Sequence, residues 1–281
     1  MKGRVARPPR TAGQRSRLER GAVEHYADPA YYTLAYRARR QDVDFYLAQA
    51  TRSGGPVLEY GVGNGRVALP LARAGIDIVG LDLSKPMLAD LARRAKRLPR
   101  AAQRRLRWVR GDMRDVRLDQ RFRLVIAPFN TVLHLYERSD VERFLACVRD
   151  HLAPGAPLVF DLSVPSCSDL ASDPDAWRTG PPVRLPGASG LVRYRERFEY
   201  DALRQVLAVD MEFKPPHGQA YVTRLAHRQF FPCEIEALLH YGGFQSVRFT
   251  ADFTSREPNS AVDSLVVEAR RQRLASGKGR S

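Results

Sequence analysis

The sequence is poor in cysteine and contains no long apolar run. Its three cysteines, Cys147, Cys167 and Cys233, are far apart and lack the paired spacing of a zinc site, so neither a disulfide framework nor a metal is expected. No stretch approaches the roughly 18 apolar residues that a membrane-spanning helix needs. The N-terminal stretch is basic but has no apolar core, which argues against a secretory signal. These absences predict a cytoplasmic protein with free thiols.

The composition is that of a globular protein. Hydrophobic residues make up 44% of the 281 residues, aromatic residues 9% and charged residues 27%, which excludes wholesale disorder. Domains usually span about 100 to 200 residues, so the chain is predicted to form one large domain, or one domain with a subdomain.

The formal net charge of +15 is unevenly distributed. Residues 1–20, 92–123 and 268–281 have net charges of +6, +10 and +4, so the rest of the chain is net acidic. A nucleic-acid or anionic-surface partner would explain these stretches, and so would a codon bias that favours arginine.

Strand and helix patterns alternate over the first half of the chain. After a basic arm at residues 1–20, which is predicted to be disordered, an apolar stripe predicts helix over 22–50. Strands are predicted at 57–60, 76–81, 106–109, 122–127 and 157–162, with helices between them. Ser84 and Pro86 are typical of a helix start. The alternation predicts a doubly wound α/β fold with a mostly parallel sheet.

The pattern changes near residue 165. Residues 165–189 are rich in Pro, Ser, Asp and Gly and predict a long loop, and three alternating segments at 192–200, 204–213 and 219–230 predict an antiparallel meander. A helix from Pro232 and two further strands, at 244–249 and 264–269, complete the pattern. We therefore expect a core with a helical cap (21–164 plus 231–270), a loop and meander lid (165–230) and a disordered tail (271–281).

A glycine-rich turn follows the first predicted strand. Gly61, Gly63 and Gly65 form G-x-G-x-G directly before a helix, where glycine lets the backbone approach a ligand and the helix start offers free N–H groups. Arg66 stands where a dinucleotide fingerprint requires its third glycine, and no G-x-x-x-x-G-K-[ST] motif is present. The turn therefore predicts a ligand without a phosphate group.

Acidic residues follow the next two strands. Asp82 ends the second strand, where a carboxylate can accept both hydroxyl groups of a ribose. Asp112 follows the third strand and could accept the amino group of an adenine. Together with Glu59 on the first strand, they predict a nucleoside site at the carboxyl edge of the sheet.

These pieces resemble the class I S-adenosylmethionine-dependent methyltransferases. The similarity lies in VLEYGVGNGRVALPLARAG, IVGLDLSKPML, WVRGDMRDV and FRLVIAPFNTVLHL, and it covers residues 22–165 and, more weakly, 220–270. HYADPAYYTLAYRARRQDVDFY resembles the cap helix of the small-molecule N-methyltransferase branch, which includes sugar N,N-dimethyltransferases and glycine N-methyltransferase-like enzymes. Val62, Asn64 and Tyr60 depart from the usual motif, but every glycine is retained.

The resemblance implies a Rossmann-like methyltransferase fold with a seven-stranded sheet, S-adenosyl-L-methionine as cofactor, S-adenosyl-L-homocysteine as product and a small-molecule acceptor. It also implies a role for each matching residue. At the methionine end, Tyr32 and Arg39 would meet the cofactor, and Glu59, Gly61 and Gly63 would hold its amino-acid group. Asp82 would bind the ribose. At the other end, Leu83 and Met87 would pack on the adenosine, and Asp112 and Met113 would frame the adenine. Met87 and Met113 are equally compatible with ordinary core packing.

The reactive centre is expected after the fourth strand, at residues 127–134, because ligands bind at the carboxyl ends of strands in open sheets. Pro128 is expected beside the cofactor. His134 is the candidate base, with Tyr32 as its catalytic neighbour, although a histidine bonded to nearby backbone is as compatible with the sequence. Tyr221 and His227 on the last meander strand are weaker candidates to face the acceptor. The meander and the cap are expected to enclose the acceptor, and the meander is expected to form any homodimer.

A nucleic-acid methyltransferase or binder that uses the basic stretches remains the alternative. Two features weigh against it: the stretch after strand four lacks the [N/D]-P-P-[Y/F] motif of amino-methylating DNA enzymes, and no cysteine lies where a cytosine-C5 enzyme needs its nucleophile. A cofactor-binding scaffold without activity is the third interpretation.

Overall fold

The computed structural model describes Leu18 and residues 20–271. The predicted arm and tail therefore lie mostly outside the described residues. The inner end of the arm was expected to be disordered, but residues 20–23 are helical, and Leu18 reaches the cleft described below. In this described part of the chain, no helix is long and apolar enough to cross a membrane.

The elements follow one another largely as the sequence pattern predicts. The helices are α1 (Pro29–Ala35), α2 (Gln41–Ser53), α3 (Ala68–Arg73), α4 (Lys85–Ala95), α5 (Arg100–Gln103), α6 (Arg138–His151), α7 (Cys167–Leu170) and α8 (Pro232–Tyr241), with 3₁₀ turns at Glu24–Tyr26 and Thr131–His134. The strands are β1 (Val57–Tyr60), β2 (Ile78–Asp82), β3 (Leu106–Arg110), β4 (Leu124–Ala127), β5 (Pro157–Ser163), β6 (Arg178–Thr179), β7 (Val183–Arg184), β8 (Leu191–Asp201), β9 (Val206–Lys214), β10 (Tyr221–Arg228), β11 (Ser246–Ala251) and β12 (Ser264–Arg270).

The main sheet has seven strands in the order β11-β12-β5-β4-β1-β2-β3. β1 pairs in parallel with β2 on one side and β4 on the other, and β12 runs antiparallel to both of its neighbours. The strand order reverses direction between β1 and β4, which makes the carboxyl end of β1 the topological switch point where open sheets bind ligands.

Helices cover both faces of this sheet, and each face has its own core. One core packs Phe144, Phe160 and Phe244 beneath α6 and α8. The other packs Tyr46, Leu71 and Leu91 beneath α2, α3 and α4. Burial on both faces explains why β4 is apolar throughout, and β1 is apolar apart from Glu59, rather than alternating.

Local signals account for the ends of several helices. The Asp28 carboxylate accepts hydrogen bonds from the N–H groups of Ala30 and Tyr31 and so caps α1, and the Ser84 hydroxyl caps α4 by accepting from Met87 N. The predicted cap helix over 22–50 is divided into the first 3₁₀ turn, α1 and α2. Pro29 accounts for the break before α1, because proline is favoured at the first position of a helix and disfavoured inside one.

The predicted meander forms a second, antiparallel sheet in the order β10-β9-β8-β6, and β7 also pairs with β8. The predicted loop over 165–189 is therefore not wholly irregular, since α7, β6 and β7 lie in it. The predicted fourth strand is two residues too long, because Phe122 forms an isolated bridge to Leu152 instead of joining β4.

A buried hydrogen-bonded pair connects α2 to the sheet. The hydroxyl of Tyr46, which has no exposed surface, donates to the Asp161 carboxylate on β5 at 2.6 Å. The same carboxylate oxygen accepts from Phe129 N at 2.8 Å, in the segment that follows β4. Burial raises the pKa of Asp161, and these two hydrogen bonds act in the opposite direction.

We expect Tyr46→Phe to lower the free energy of unfolding by about 1.5–3 kcal/mol, because Asp161 would stay buried with one donor fewer. Urea denaturation followed by circular dichroism measures this change. Tyr241→Phe is the matched control, since Tyr241 is 88% exposed and should change stability by less than about 0.5 kcal/mol. Equal effects of the two substitutions would contradict the role of the buried pair.

Candidate active site

A cleft of about 640 Å³ opens at the carboxyl ends of β1, β2, β3 and β4. The loops that follow these strands form its floor, and Leu18, Ala22 and the first 3₁₀ turn form its roof. The cleft therefore lies at the switch point of the sheet, where the topology places a ligand site.

The glycine-rich turn is shaped by backbone conformation and close packing. Gly61, Gly63 and Gly65 have φ angles of 68°, 54° and 83°, in the left-handed region that side chains disfavour. A Cβ atom on Gly61 would lie 2.4 Å from the Thr131 hydroxyl oxygen, so no larger residue fits there. The turn thus brings bare backbone to the wall of the cleft.

Asp82 connects two of the loops that form the floor. Its carboxylate accepts from Gly63 N and from Ser84 N, each at 2.8 Å. Burial raises the pKa of Asp82, and the backbone hydrogen bonds from Ser84 and Gly63 act against that rise. Each carboxylate oxygen has a second lone pair, so Asp82 can still accept hydrogen bonds from a ligand in the cleft.

Glu59 is the buried acid at the base of the cleft. Its side chain lines the cleft, and its Oε2 atom has no hydrogen-bond partner among the described residues. Burial raises the pKa of Glu59 well above its usual range, while Arg66 acts to lower it. A buried carboxylate oxygen without a partner is unfavourable, so this position favours a ligand with a cationic or N–H donor group.

Asp42, at the start of α2, holds two arginines near Glu59. Its carboxylate accepts from Arg66 Nη1 at 2.9 Å and Nη2 at 2.6 Å, and from Arg39 Nε at 3.3 Å. Both guanidinium groups stack on the Phe129 ring, at 4.7 Å for Arg66 and 4.8 Å for Arg39. Arg66 lines the cleft and Arg39 does not, which differs from the expectation for Arg39.

Tyr32 lies beside Arg66 in the wall of the cleft. Its side chain is only 7% exposed, and burial raises its pKa to about 12, although a hydrogen bond from Arg66 acts to lower it. Tyr32 is therefore a neutral phenol at physiological pH, able to donate one hydrogen bond and to accept others.

The far end of the cleft is formed by the residues expected around an adenine. Leu83 is 55% exposed beside the opening, whereas Met87 is buried and packs near Gly63. Asp112 lines the cleft together with Met113, but its carboxylate also pairs with Arg114, whose Nη1 atom donates to Asp140 at 2.8 Å. These contacts lower the pKa of Asp112 against the effect of its burial, so the carboxylate is charged.

The roof contains a hydrogen-bonded chain around His134. His134 Nε2 lies 2.9 Å from the Tyr26 hydroxyl, and His134 Nδ1 lies 3.4 Å from the Tyr136 hydroxyl. The Tyr136 hydroxyl donates to the Ala226 carbonyl on β10 at 2.9 Å, so its oxygen is left to accept from Nδ1–H. In the neutral ring Nε2 is then the acceptor, and the Tyr26 hydroxyl donates to it.

Burial is the main reason that His134 is neutral. Burial and, to a smaller extent, the nearby His25 lower the pKa of His134 to about 4. His227 on β10 packs against His134 with ring centroids 5.0 Å apart, and burial lowers the pKa of His227 as well. The two imidazoles are therefore uncharged at physiological pH.

The meander supports the roof from behind rather than lining the cleft. Among the described residues, no member of β8, β9 or β10 belongs to the cleft wall. Tyr221 is 47% exposed and stacks on Phe213, and His227 lies behind His134. The structure therefore does not bring Tyr221 and His227 to the cleft wall as expected, because β10 packs against the outer side of the cap. Enclosure of the acceptor by the meander stays a prediction.

The remaining residues from the sequence prediction meet in this one cleft. They are Tyr32, Glu59, Gly61, Gly63, Asp82, Leu83, Met87, Asp112, Met113, Pro128 and His134. The sequence analysis missed Tyr26 and Arg66 as cleft residues, and it included Phe129 in the reactive segment without giving it a role. Arg66 directly follows the glycine motif, which is a signal that could have identified it.

The basic stretch over 92–123 lies mainly on α4, α5 and β3, at the edge of the main sheet. Only residues 110–114 of this stretch reach the rim of the cleft.

Residues 57–155, which include most of this cleft, match the family model described as methyltransferase domain. The CcbJ methyltransferase from Streptomyces caelestis has a similar structure, with a TM-score of 0.74 and 25% identity over 88% of this chain and 97% of that one. The glycopeptide N-methyltransferase MtfA, in complex with S-adenosyl-L-methionine, has a TM-score of 0.55 and 26% identity over 82% of this chain and 94% of that one. This protein is an S-adenosylmethionine-dependent methyltransferase.

A curated relative adds a more specific similarity. The dTDP-3-amino-3,4,6-trideoxy-alpha-D-glucopyranose N,N-dimethyltransferase of Streptomyces venezuelae is 29% identical over 45% of this chain and 50% of that protein. The matched region thus covers about half of each protein.

The cleft of this methyltransferase fits its cofactor. The unpartnered Oε2 atom of Glu59 suits the ammonium group of an amino acid, and the free lone pairs of Asp82 suit ribose hydroxyls. The bare backbone of the glycine-rich turn leaves room for close approach. Each of these features leaves hydrogen-bonding capacity or space unused in the protein alone, and each matches one part of S-adenosylmethionine.

We expect Asp82→Ala to weaken S-adenosylhomocysteine binding by about 1.5–3 kcal/mol, the usual scale for hydrogen bonds to a charged group. Isothermal titration calorimetry measures the loss. Asp77→Ala is the matched control, because Asp77 stands just before β2, at the opposite end of the strand, and its side chain is 64% exposed. Unchanged affinity in Asp82→Ala would refute the ribose assignment.

Proposed function

We propose that this enzyme methylates the nitrogen of a small-molecule acceptor by in-line displacement, with S-adenosylhomocysteine as the other product. The volume of the cleft, about 640 Å³, lies in the range of small-molecule sites, roughly 300–1,000 Å³. A roof of aromatic side chains closes it on the side where Tyr26 and His134 lie. Bound S-adenosylmethionine supplies the methyl group from a sulfonium, which is an already activated donor.

The burial of His134 in a hydrogen-bonded chain with Tyr26 and Tyr136 is the observation that favours nitrogen over oxygen. A hydroxyl acceptor must lose a proton to become a good nucleophile, and a histidine with a pKa of about 4 is too weak a base to remove it. A neutral amine attacks through its own lone pair and needs no base before the displacement. The names of MtfA and the curated sugar N,N-dimethyltransferase support the same choice.

Tyr26 and His134 are proposed to position the acceptor. Because the Tyr26 hydroxyl donates to His134, its oxygen presents lone pairs to the cleft. An acceptor N–H can donate to that oxygen and leave the nitrogen lone pair free to react. Orientation of this kind contributes to rate without a change in protonation.

The other cleft residues are proposed to hold the cofactor. Glu59 and the Gly61–Gly63 backbone would bind its amino-acid end, with Tyr32 and Arg66 beside them, and Asp82 would bind the ribose. Phe129, fixed from behind by Arg39, would exclude water from the centre. Arg39 is thus a positioning residue in this proposal.

The first experiment is a screen for S-adenosylhomocysteine release with amino sugars, simple amines, alcohols, phenols and tRNA or rRNA. Release with amines and not with alcohols supports the proposal. Release only with nucleic acid would refute it and would assign the basic edge at β3 as the binding surface.

With an amine acceptor in hand, we expect His134→Ala to lower kcat by less than about tenfold and to leave cofactor affinity unchanged. The wild-type pH profile should show no inflection from His134 between pH 6 and 8, because this histidine stays neutral until the pH falls towards about 4. The rate should instead rise with pH as more acceptor becomes neutral. His217→Ala, at an exposed position on the β9–β10 turn, is the control.

A different result would contradict the positioning role of His134. A loss of about 10²–10⁴-fold in His134→Ala, together with an inflection near the unperturbed histidine pKa of about 6.5, would make His134 a general base.

A further inference from the structure

A second cavity, of about 790 Å³, lies between α2 and the β11–β12 side of the sheet and shares no lining residue with the cofactor cleft. It touches the amino ends of β4 and β5 and the final residue of β12. Phe45, Gln49 and Arg52 lie on one face of α2 and form one wall. Alternate residues of β11 and β12, including Arg248 and Thr250, form the other wall. We call this cavity the basal groove.

Four arginines line the basal groove: Arg52, Arg123, Arg248 and Arg270. Glu268 is the single acidic residue among the described lining residues, and it pairs with Arg270 at 2.8 Å. Within the described chain, the other three arginines form no ion pair with a carboxylate. The groove therefore holds a net charge of +3.

The protein itself offers little to offset this charge. The carbonyl end of α2 lies at Ser53 and Gly54, but a helix end contributes only about half an elementary charge. The residues outside the described part, 1–17, Glu19 and 272–281, contain one acidic side chain and are otherwise strongly basic. An anion from outside the chain is the simplest partner for three unpaired guanidinium groups that face one cavity.

We propose that the basal groove binds a small phosphorylated molecule with at least two negative charges. Guanidinium groups match phosphate oxygens with two parallel hydrogen bonds, which a flat surface of scattered lysines does not offer. Thr250, Ser255 and Gln49 add neutral hydrogen-bonding groups within the same cavity. Phe45 and Phe253, with ring centroids 5.8 Å apart, form an apolar end that suits the organic part of such a ligand.

The groove is separate from the cofactor site, so the proposal does not depend on the acceptor. Asp82 and Glu59 lie at the carboxyl ends of their strands, whereas Arg123 precedes β4 and Arg270 ends an antiparallel strand. S-adenosylhomocysteine can therefore be used to fill the cleft while the groove is tested.

The test is isothermal titration calorimetry of the full chain with pyrophosphate and with ADP, in the presence of saturating S-adenosylhomocysteine. The double substitution R123Q/R248Q removes two of the three unpaired groove charges. R104Q/R107Q, at the edge near β3, removes the same charge from exposed positions outside the groove. We expect saturable binding to the wild type, a loss of about tenfold or more in R123Q/R248Q, and a change under about twofold in R104Q/R107Q.

S-adenosylhomocysteine affinity, which should be the same in all three proteins, verifies that each variant is folded. Tighter binding of ADP than of pyrophosphate would assign the apolar end of the groove to a nucleoside. Equal binding of the two would assign the site to the phosphates alone. Either result supports the proposal. No saturable binding below about 10 mM would overturn it. An equal loss in the two double variants would also overturn it, because it would show a general charge effect.

Discussion

The buried carboxylate of Asp42 is the contact on which the arrangement of the cleft depends. It has no exposed surface, and it binds both Arg66, which follows the glycine-rich turn, and Arg39, which precedes α2. Both arginines in turn hold the ring of Phe129. One carboxylate thereby fixes the cap, the first loop and the segment after β4 relative to one another. A buried charge that loses one partner typically costs about 3–5 kcal/mol, so these three parts are expected to move together or not at all.

Much of the fold could be predicted because its signals are local. The apolar runs of β1 and β4, the cap at Ser84 and the three glycines each depend on a few neighbouring residues. The acids at successive strand ends could be placed together because parallel strands align their carboxyl ends. The resemblance to methyltransferases then gave each of these residues a role, and nine of the ten cofactor residues that it named line the cleft.

The parts that could not be predicted depend on contacts between distant segments. The absence of Arg39 from the cleft wall follows from its packing with Asp42 and Phe129, and no local pattern encodes those contacts. Tyr26 reaches His134 across 108 residues of sequence. The alternation of the meander predicted its strands correctly but could not indicate which surface they cover, and the structure places them as a support behind the roof rather than in the cleft wall.

That support acts through main-chain groups. β10 accepts the Tyr136 hydroxyl at the Ala226 carbonyl, and its Arg224 N–H donates to the Glu24 carboxylate at 2.9 Å. Main-chain groups are the same in every residue except proline, which lacks the N–H. These two contacts therefore tolerate any side chain on β10, provided that the strand keeps its register and proline stays away from position 224. The His227 ring, which packs on His134, adds a side-chain contact, so a change at that position would alter the roof itself.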